Sequence, residues 1–367
     1  MNFESIAENI IKKTISSGAT DCDVVLAEGS GKSISCRLQK IEDVEESRDK
    51  TIGIRALIGN KQAFVSSSDI EEEKLNSSIL KVIEMAKLAP EDDTACLGDK
   101  RYFENEFEDL NLFQEEETKT DILINAAKEC EEIALSIKGI SNSEGAGASY
   151  STGEFFLATS NGFRGGYRSS TNSISCSVLA GEGLNMERDY DYDVSRHLKD
   201  LQKPSSIGKS AAKKAILRLN PRKVKSCKTS VVFDKRISND LVGYFASAIS
   251  GPAIARETSF LKDSLNKKIF SKEISILDNP KIPKGLGSRP FDGEGIKTNE
   301  KELVSNGTLN TWILNTSTAK KLNLKTTGHA SRSVGSPPGV TTSNLYMTNG
   351  LNSFDDMIKS INSGFYA

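Results

Sequence analysis

Histidine and cysteine side chains are the usual ligands of catalytic zinc, and the sequence holds few of them. There are two histidines, His197 and His329, and no H-E-x-x-H run is present. A zinc peptidase site needs about three protein ligands and a carboxylate base, usually with two histidines on one helix. The six cysteines are widely spaced and form no C-x-x-C pair; they are Cys22, Cys36, Cys96, Cys130, Cys176 and Cys227. These residues predict neither a zinc site nor a disulfide framework, and we interpret the cysteines as buried thiols of a reducing cytoplasm.

Three other patterns resemble catalytic or binding motifs without completing them. Segment 29–33 (GSGKS) resembles the end of a phosphate-binding loop, but Leu26 replaces the first glycine and a strand pattern follows. We therefore predict a hairpin turn there. Ser264 begins an S-x-x-K run, which is frequent by chance, and no S-D-N run follows it. The acidic clusters at 71–73 and 115–117 stand at predicted helix starts, where they favour the helix dipole.

Composition excludes two classes of partner. The 367 residues include 48 Lys and Arg against 50 Asp and Glu, so no basic surface is predicted to bind nucleic acid. The longest apolar candidate for a membrane span, 241–255, is shorter than the ~18 residues that a span requires. The N-terminus carries Glu4 and Glu8 where a signal peptide would be basic, so a cytoplasmic location is expected.

Periodic patterns define the elements of the first part of the chain. Apolar residues at helical spacing over 3–15, followed by Gly18, predict an amphipathic helix. Alternating strands then lead to a tight hairpin at 59–60. Two later helices are predicted to open with side chains in capping-box spacing, the pairs being Ser68 with Glu71 and Thr118 with Asp121.

The remaining pattern predicts further hairpins. A β block over 141–194 contains an Asn-Gly hairpin turn at 161–162, and a helix near 205–218 closes it. A helix over 237–249 and a turn at 306–307 follow. The predicted fold class is α+β, with mostly antiparallel curved sheets and flanking helices. We expect two parts, 1–222 and 223–367, the first comprising a helix–hairpin unit at 1–90, a solvated acidic connector at 91–116, and a helix with the β block at 117–222.

Blocks of sequence in the C-terminal half carry a family resemblance. In order they are 247–261 (SAISGPAIARETSFL), 263–265, 287–295 (GSRPFDGEG), Leu303 with 307–309, Trp312, 319–324 and 327–330 (TGHA). The chain resembles the PmbA (TldE) branch of the TldD/PmbA peptidase family, also known as modulators of DNA gyrase. The N-terminal half fits through its helix–hairpin unit and 56–68.

The resemblance implies a function. TldD-type chains carry an H-E-x-x-x-H zinc helix, whereas PmbA-type chains lack it, and the two form a heterodimer around a chamber that degrades or processes unfolded peptides. In this sequence the corresponding helix is 240–248, with Gly243, Tyr244 and Ala248 at the approximate ligand positions. The resemblance thus implies no catalytic residue and no cofactor in this chain, zinc being expected only in the TldD-type partner.

Two further expectations follow from the resemblance. The candidate chamber or interface residues come from blocks 289–295 and 328–332; they are Arg289, Asp292, Glu294, Gly328, His329 and Arg332. The alternative is that these residues only fix turns, and for His329 a structural hydrogen bond is the default. The family continues with a Gly-rich segment beyond 364–366, so we expect a truncated chain or fragment with an exposed edge near 345–365.

Three functions remain open from the sequence. The leading hypothesis is a non-catalytic subunit of a cytoplasmic zinc metallopeptidase, with a TldD-type homologue as partner. The second is a stand-alone homodimeric scaffold or peptide-binding protein. The third is a metal-independent hydrolase that uses residues such as His329 and Asp292. Nucleic acid and membrane are not expected as partners in any of them.

Overall fold

The structure is a computed structural model that describes residues 3–367. Its N-terminal part is one six-stranded antiparallel sheet in the order β3-β2-β1-β4-β5-β6. The elements of this part, in chain order, are α1 (Phe3–Ser16), β1 (Asp21–Arg37), β2 (Lys40–Ile58), β3 (Lys61–Ser67), α2 (Glu72–Leu88), α3 (Thr120–Leu135), β4 (Ile140–Thr159), β5 (Arg164–Ala180), β6 (Glu187–Ser195) and α4 (Pro204–Leu217).

The C-terminal part has shorter elements around a four-stranded antiparallel sheet in the order β10-β9-β8-β13. Its elements are β7 (Ser230–Val232), α5 (Lys235–Ala248), α6 (Gly251–Ala255), β8 (Ile276–Asp278), β9 (Lys301–Ser305), β10 (Thr308–Leu309), α7 (Thr316–Lys321), β11 (Ala330–Ser331), β12 (Gly339–Val340), β13 (Leu345–Met347), α8 (Phe354–Lys359) and β14 (Gly364–Tyr366). β14 pairs with β7 in parallel, whereas the other paired strands are antiparallel. The predicted α+β class with mostly antiparallel sheets is confirmed.

On the face of the sheet that carries the helices, strand β1 is apolar at both ends and polar in the middle. At one end of β1, Cys22, Val24 and Leu26 pack in a core with α1 and α2. At the other end, Ile34 and Cys36 pack beneath α3. Side chains alternate between the two faces of a strand, so Glu28, Ser30 and Lys32 share this face in the middle. The two pairs of helices therefore flank a polar stretch of sheet.

The opposite face of the sheet supports the C-terminal part. Val25 of β1 and Leu157 of β4 pack with Phe163, Phe291 and further aromatic and aliphatic side chains. The rings of Phe163 and Phe291 meet edge to face at 4.9 Å. Gly295 has a φ of +79°, and a Cβ there would lie 2.4 Å from the ring of Phe163. The close approach of the two parts therefore requires glycine at this position.

The predicted hairpin turn at 29–33 is wrong. β1 continues through this segment, with Gly29 opposite Asp49 of β2 and Gly153 of β4. The turn lies at Leu38 and Gln39, both with positive φ. The segment is polar and rich in glycine because no helix covers this stretch of the sheet. It is nevertheless a strand, because β2 and β4 supply its backbone hydrogen bonds on both edges.

The helix starts also differ from the prediction. Helix α2 begins at Glu72 after an N-cap at Glu71 that makes no side-chain cap, so the Ser68 box is absent. Helix α3 likewise has no side-chain cap, because the buried Thr118 hydroxyl lies 2.8 Å from Asn172 Oδ1. The acidic connector is mostly irregular, as predicted, but it is not simply solvated, since Leu110 and Leu112 are buried. At the start of α3, a contact with a residue distant in sequence, rather than a local capping pair, therefore occupies the Thr118 hydroxyl.

Several local predictions agree with the structure. Helix α1 ends two residues before Gly18, which has a φ of +110°. Tight turns join β2 to β3 at 59–60, β4 to β5 near 161–162, and β9 to β10 at 306–307. Within residues 3–367, no helix combines the length and the apolar character needed to cross a membrane.

Candidate functional site

Helix α5 holds the positions at which the family resemblance would place zinc ligands. Gly243 and Tyr244 lie on its exposed side, and Tyr244 is 73% exposed. Ala248 is half-buried, and Phe245 packs into the core. Asp240 is the one carboxylate on the helix, which carries no imidazole or thiol. This donor set does not fit zinc, because a zinc site needs about three or four ligands drawn from histidine, cysteine and carboxylate side chains.

The other described residues also lack a set of metal ligands. Among residues 3–367, no cluster of three or more histidine, cysteine, aspartate or glutamate side chains could hold a metal ion. The second histidine, His197, lies near the surface with Nε2 2.9 Å from the Asn111 carbonyl.

Asp292 organises the loop formed by the Arg-Pro-Phe-Asp-Gly-Glu-Gly run at 289–295. One carboxylate oxygen accepts hydrogen bonds from the backbone N–H groups of Glu294 and Ile296, each at 2.9 Å. The other oxygen accepts from the N–H of Ala330 at 3.0 Å and so connects the loop to β11. Burial raises the pKa of Asp292 to about 7, and the nearby Glu294 adds to this, while the three N–H donors oppose it.

Glu294 joins the same loop to helix α7. Its Oε2 accepts from the backbone N–H of Thr316 at 2.8 Å and from the Thr316 hydroxyl at 2.6 Å. Burial raises the pKa of Glu294, whereas the bonds from Thr316 and the charges of Arg55 and Arg332 act in the opposite direction. Both acidic residues of this run therefore have structural partners within the chain.

Arg332 connects the C-terminal part to the sheet through a buried ionic cluster. Its Nη2 donates to Asp23 of β1, which also accepts from Arg55 Nε of β2 at 2.6 Å. Arg55 donates further to the carbonyl of Cys96 at 3.3 Å. The side chains of Asp23, Arg55 and Arg332 are each at most 4% exposed. Nε and Nη1 of Arg332 are buried without a hydrogen-bond partner, so its one acceptor is Asp23.

His329 belongs to a second buried polar cluster. Its Nε2 lies 3.2 Å from Oδ2 of Asp278, and its Nδ1 lies 2.8 Å from the Thr327 hydroxyl. Asp278 also accepts from the N–H and the hydroxyl of Ser343, both at 2.8 Å. The histidine is only 2% exposed, and Thr327 is also bonded to the backbone of Leu314. Asp292 is not its partner, and this burial does not favour the predicted hydrolase alternative.

The two other candidates also make contacts inside the chain. Gly328 has a φ of +72°, and a Cβ there would lie 2.9 Å from the carbonyl oxygen of Lys297. Arg289 donates from Nη2 to the Thr341 carbonyl at 3.3 Å, while its Nε is buried without a partner. The six candidates thus lie in two loops of the C-terminal part, and among them Arg332 bonds to the N-terminal sheet through Asp23. Their role in a chamber or partner interface stays a prediction.

We expect His329 to titrate below its ordinary range. Burial lowers the pKa of His329, and the Asp278 carboxylate opposes this without cancelling it. A histidine with a lowered native pKa binds its proton more weakly than in the unfolded chain, so stability should fall as the pH drops below about 6.5. NMR titration of the two imidazoles, assigned with His197→Asn, checks the midpoint. A midpoint above 6.5 for His329 would contradict the burial argument.

The sequence that forms this α+β fold matches three family models. They describe the PmbA/TldA metallopeptidase domain 1 at residues 22–89, the central domain at 113–219 and the C-terminal domain at 226–367. The chain belongs to the PmbA/TldD family.

Named relatives and solved structures agree with this membership. A metalloprotease PmbA homolog of Haemophilus influenzae is 36% identical over 84% of this chain and 68% of its own length. The metalloprotease PmbA of Escherichia coli O157:H7 is 34% identical over 86% and 71%. A crystal structure of a putative modulator of DNA gyrase from Bacteroides thetaiotaomicron has a TM-score of 0.89 at 26% identity, covering 99% of this chain and 81% of that one. TldE of Thermococcus kodakarensis, at 21% identity and a TM-score of 0.86 over 98% and 81%, shares the fold.

Proposed function

We propose that this chain is the non-catalytic, PmbA-type subunit of a cytoplasmic zinc metallopeptidase complex that acts on unfolded peptides. The observation that carries the proposal is the composition of α5, where Gly243, Tyr244 and Ala248 stand at the expected ligand positions. Zinc and its general base would be supplied by a TldD-type partner. A metalloprotease TldD homolog of Buchnera aphidicola, 26% identical over 87% of this chain and 68% of its own length, is a relative of that kind.

The surface around α5 supports a partner. Leu241 and Tyr244 are exposed on the helix, and Phe354 of α8 and Tyr366 of β14 lie near its N-terminus. The Tyr366 hydroxyl donates to Asp234, the N-cap of α5, and the ring of Phe354 packs against that of Tyr366. Large apolar side chains exposed together mark protein interaction sites. The chain's contribution would be to complete the chamber and to present strand edges to an extended peptide.

Association with a TldD-type homologue tests the proposal. We expect the two purified chains to form a stable 1:1 complex by native mass spectrometry. Tyr244→Asp should weaken it at least about tenfold, because a charge would replace a central aromatic contact. Leu80→Asp is the control, since Leu80 is 62% exposed on α2, a helix that packs with α1 on the N-terminal sheet.

The homodimeric scaffold is the competing outcome of the same measurement. The apolar surface around α5 would then pair with itself. A symmetric dimer of this chain that does not exchange into a complex with the TldD-type homologue would favour the scaffold and contradict the proposed role. Equal weakening by Tyr244→Asp and Leu80→Asp would contradict the assignment of the interface to α5.

A further inference from the structure

A groove crosses the middle of the six-stranded sheet between the two pairs of helices. Its floor is formed by residues of β1, β2 and β4, and the segment before α3 forms a wall. One cavity there has a volume of about 520 Å³, and a neighbouring one of about 730 Å³ continues towards Leu110 and Tyr167. We name this surface the sheet groove; the residues that line both cavities are Phe113, Glu115, Glu154 and Arg168.

The sheet groove has a simple structural origin. Apolar positions of β1 at 22–26 and 34–36 are covered by helices, whereas the positions between them are polar. No described helix packs over Glu28 and Ser30, so a face of the sheet remains available in the centre of the domain. The strands beneath this face are hydrogen-bonded along both edges, so the surface is preorganised, which lowers the ordering cost of binding an extended segment.

Most charges on the floor of the groove are already neutralised by one another. Glu28 lies 2.8 Å from Arg48 Nη2 and 2.9 Å from Lys50 Nζ. Lys32 lies 2.5 Å from Glu117 and 3.8 Å from Glu46. These pairs explain why a polar floor is compatible with a stable sheet, because their three acidic and three basic side chains cancel in net charge.

The acidic side chains at the point where the two cavities meet are not paired in this way. Glu115 and Glu154 are exposed and form no ion pair with another described residue. Arg168 stands opposite Glu154 in the β4–β5 register, but its guanidinium carbon lies 3.5 Å from the centre of the Phe113 ring. Two carboxylates therefore face one guanidinium on a cavity with an aromatic wall, which leaves a net negative charge at this point.

We propose that the sheet groove binds an extended peptide through a lysine or arginine side chain held between Glu115 and Glu154. The aliphatic stem of that side chain would lie beside the stacked pair of Arg168 and Phe113, and its charged head would reach the two carboxylates. This inference rests on the proposed function in one respect, namely that unfolded peptides are the ligands of the complex. It adds a preference for cationic segments and a site for them in the N-terminal part.

Fluorescence anisotropy with the full chain alone tests the proposal. The probes are three labelled twelve-residue peptides of alternating Ser with Lys, Gln or Glu. We expect the Lys peptide to bind best and its affinity to fall with added salt, because exposed charges are screened. The double variant Glu115→Gln/Glu154→Gln should bind it about fivefold or more weakly. The control double variant Glu91→Gln/Glu129→Gln changes the net charge equally at exposed residues outside the groove.

Three outcomes would overturn the proposal: equal binding of the Lys and Gln peptides, tighter binding of the Glu peptide, or equal weakening by the control variant. The assay contains no partner chain and measures no hydrolysis. A result against the groove preference would therefore not contradict the proposed complex. Likewise, failure to form the complex would not contradict a measured preference of the groove.

Discussion

Replacing Asp23 by asparagine is expected to lower the free energy of unfolding by about 3–5 kcal/mol. Asp23 is the acceptor for both Arg55 and Arg332, and all three side chains are almost fully buried. The variant would keep the volume of the side chain but remove the carboxylate that both guanidinium groups contact directly, leaving the buried Glu294 as the nearby acidic group. Breaking a buried ionic cluster by removing one charge is costly, since the remaining charges stay desolvated.

Urea unfolding of Asp23→Asn beside the unchanged chain measures this effect. The matched control is Asp43→Asn, the same chemical change at an exposed residue of the same hairpin. The control should stay within about 0.5 kcal/mol of the parent. A loss of less than about 1 kcal/mol for Asp23→Asn would mean that water or other groups already neutralise the two arginines.

Local features of the fold were predictable because their causes are local. The apolar spacing of α1 and the Gly-containing turns at 59–60, 161–162 and 306–307 need only neighbouring residues to form. The course of β1 through Gly29 was not predictable in this way. Its polar positions are compatible with a strand only because β2 and β4 pair along both of its edges.

The partners of the candidate residues were missed for a similar reason. Resemblance singled out Arg332 and His329, but their partners Asp23 and Asp278 lie far away in sequence. One signal was present: Asp23 interrupts an apolar run of a predicted strand, and a charge in such a position is usually paired. No local pattern indicates which arginine would approach it.

The isolated chain is expected to hydrolyse no peptide, whereas activity should appear when an H-E-x-x-x-H-bearing TldD-type homologue is added. The physical reason is that α5 offers no imidazole, and its one carboxylate, Asp240, has no metal-binding neighbour among the described residues. A zinc peptidase activates water with its metal and a carboxylate base, and enzymes accelerate such reactions on the order of 10⁶-fold or more. The expected change on mixing is therefore from background to a rate that is easily measured.

Two controls define the origin of that activity. A TldD-type partner with its H-E-x-x-x-H glutamate changed to glutamine should form the complex and remain inactive. His329→Gln in this chain should leave turnover by the mixed complex within about threefold, because His329 is buried and its contacts are intramolecular. A large loss of turnover with an intact complex would assign His329 a role beyond structure.

Release of a fluorescent group from an unstructured peptide, measured for this chain alone and for the mixed chains with and without a chelator, tests the non-catalytic role most directly. The proposed role predicts no turnover by the chain alone and chelator-sensitive turnover by the mixture. Chelator-insensitive turnover by the isolated chain that is lost in His329→Gln would contradict it and support a metal-independent hydrolase.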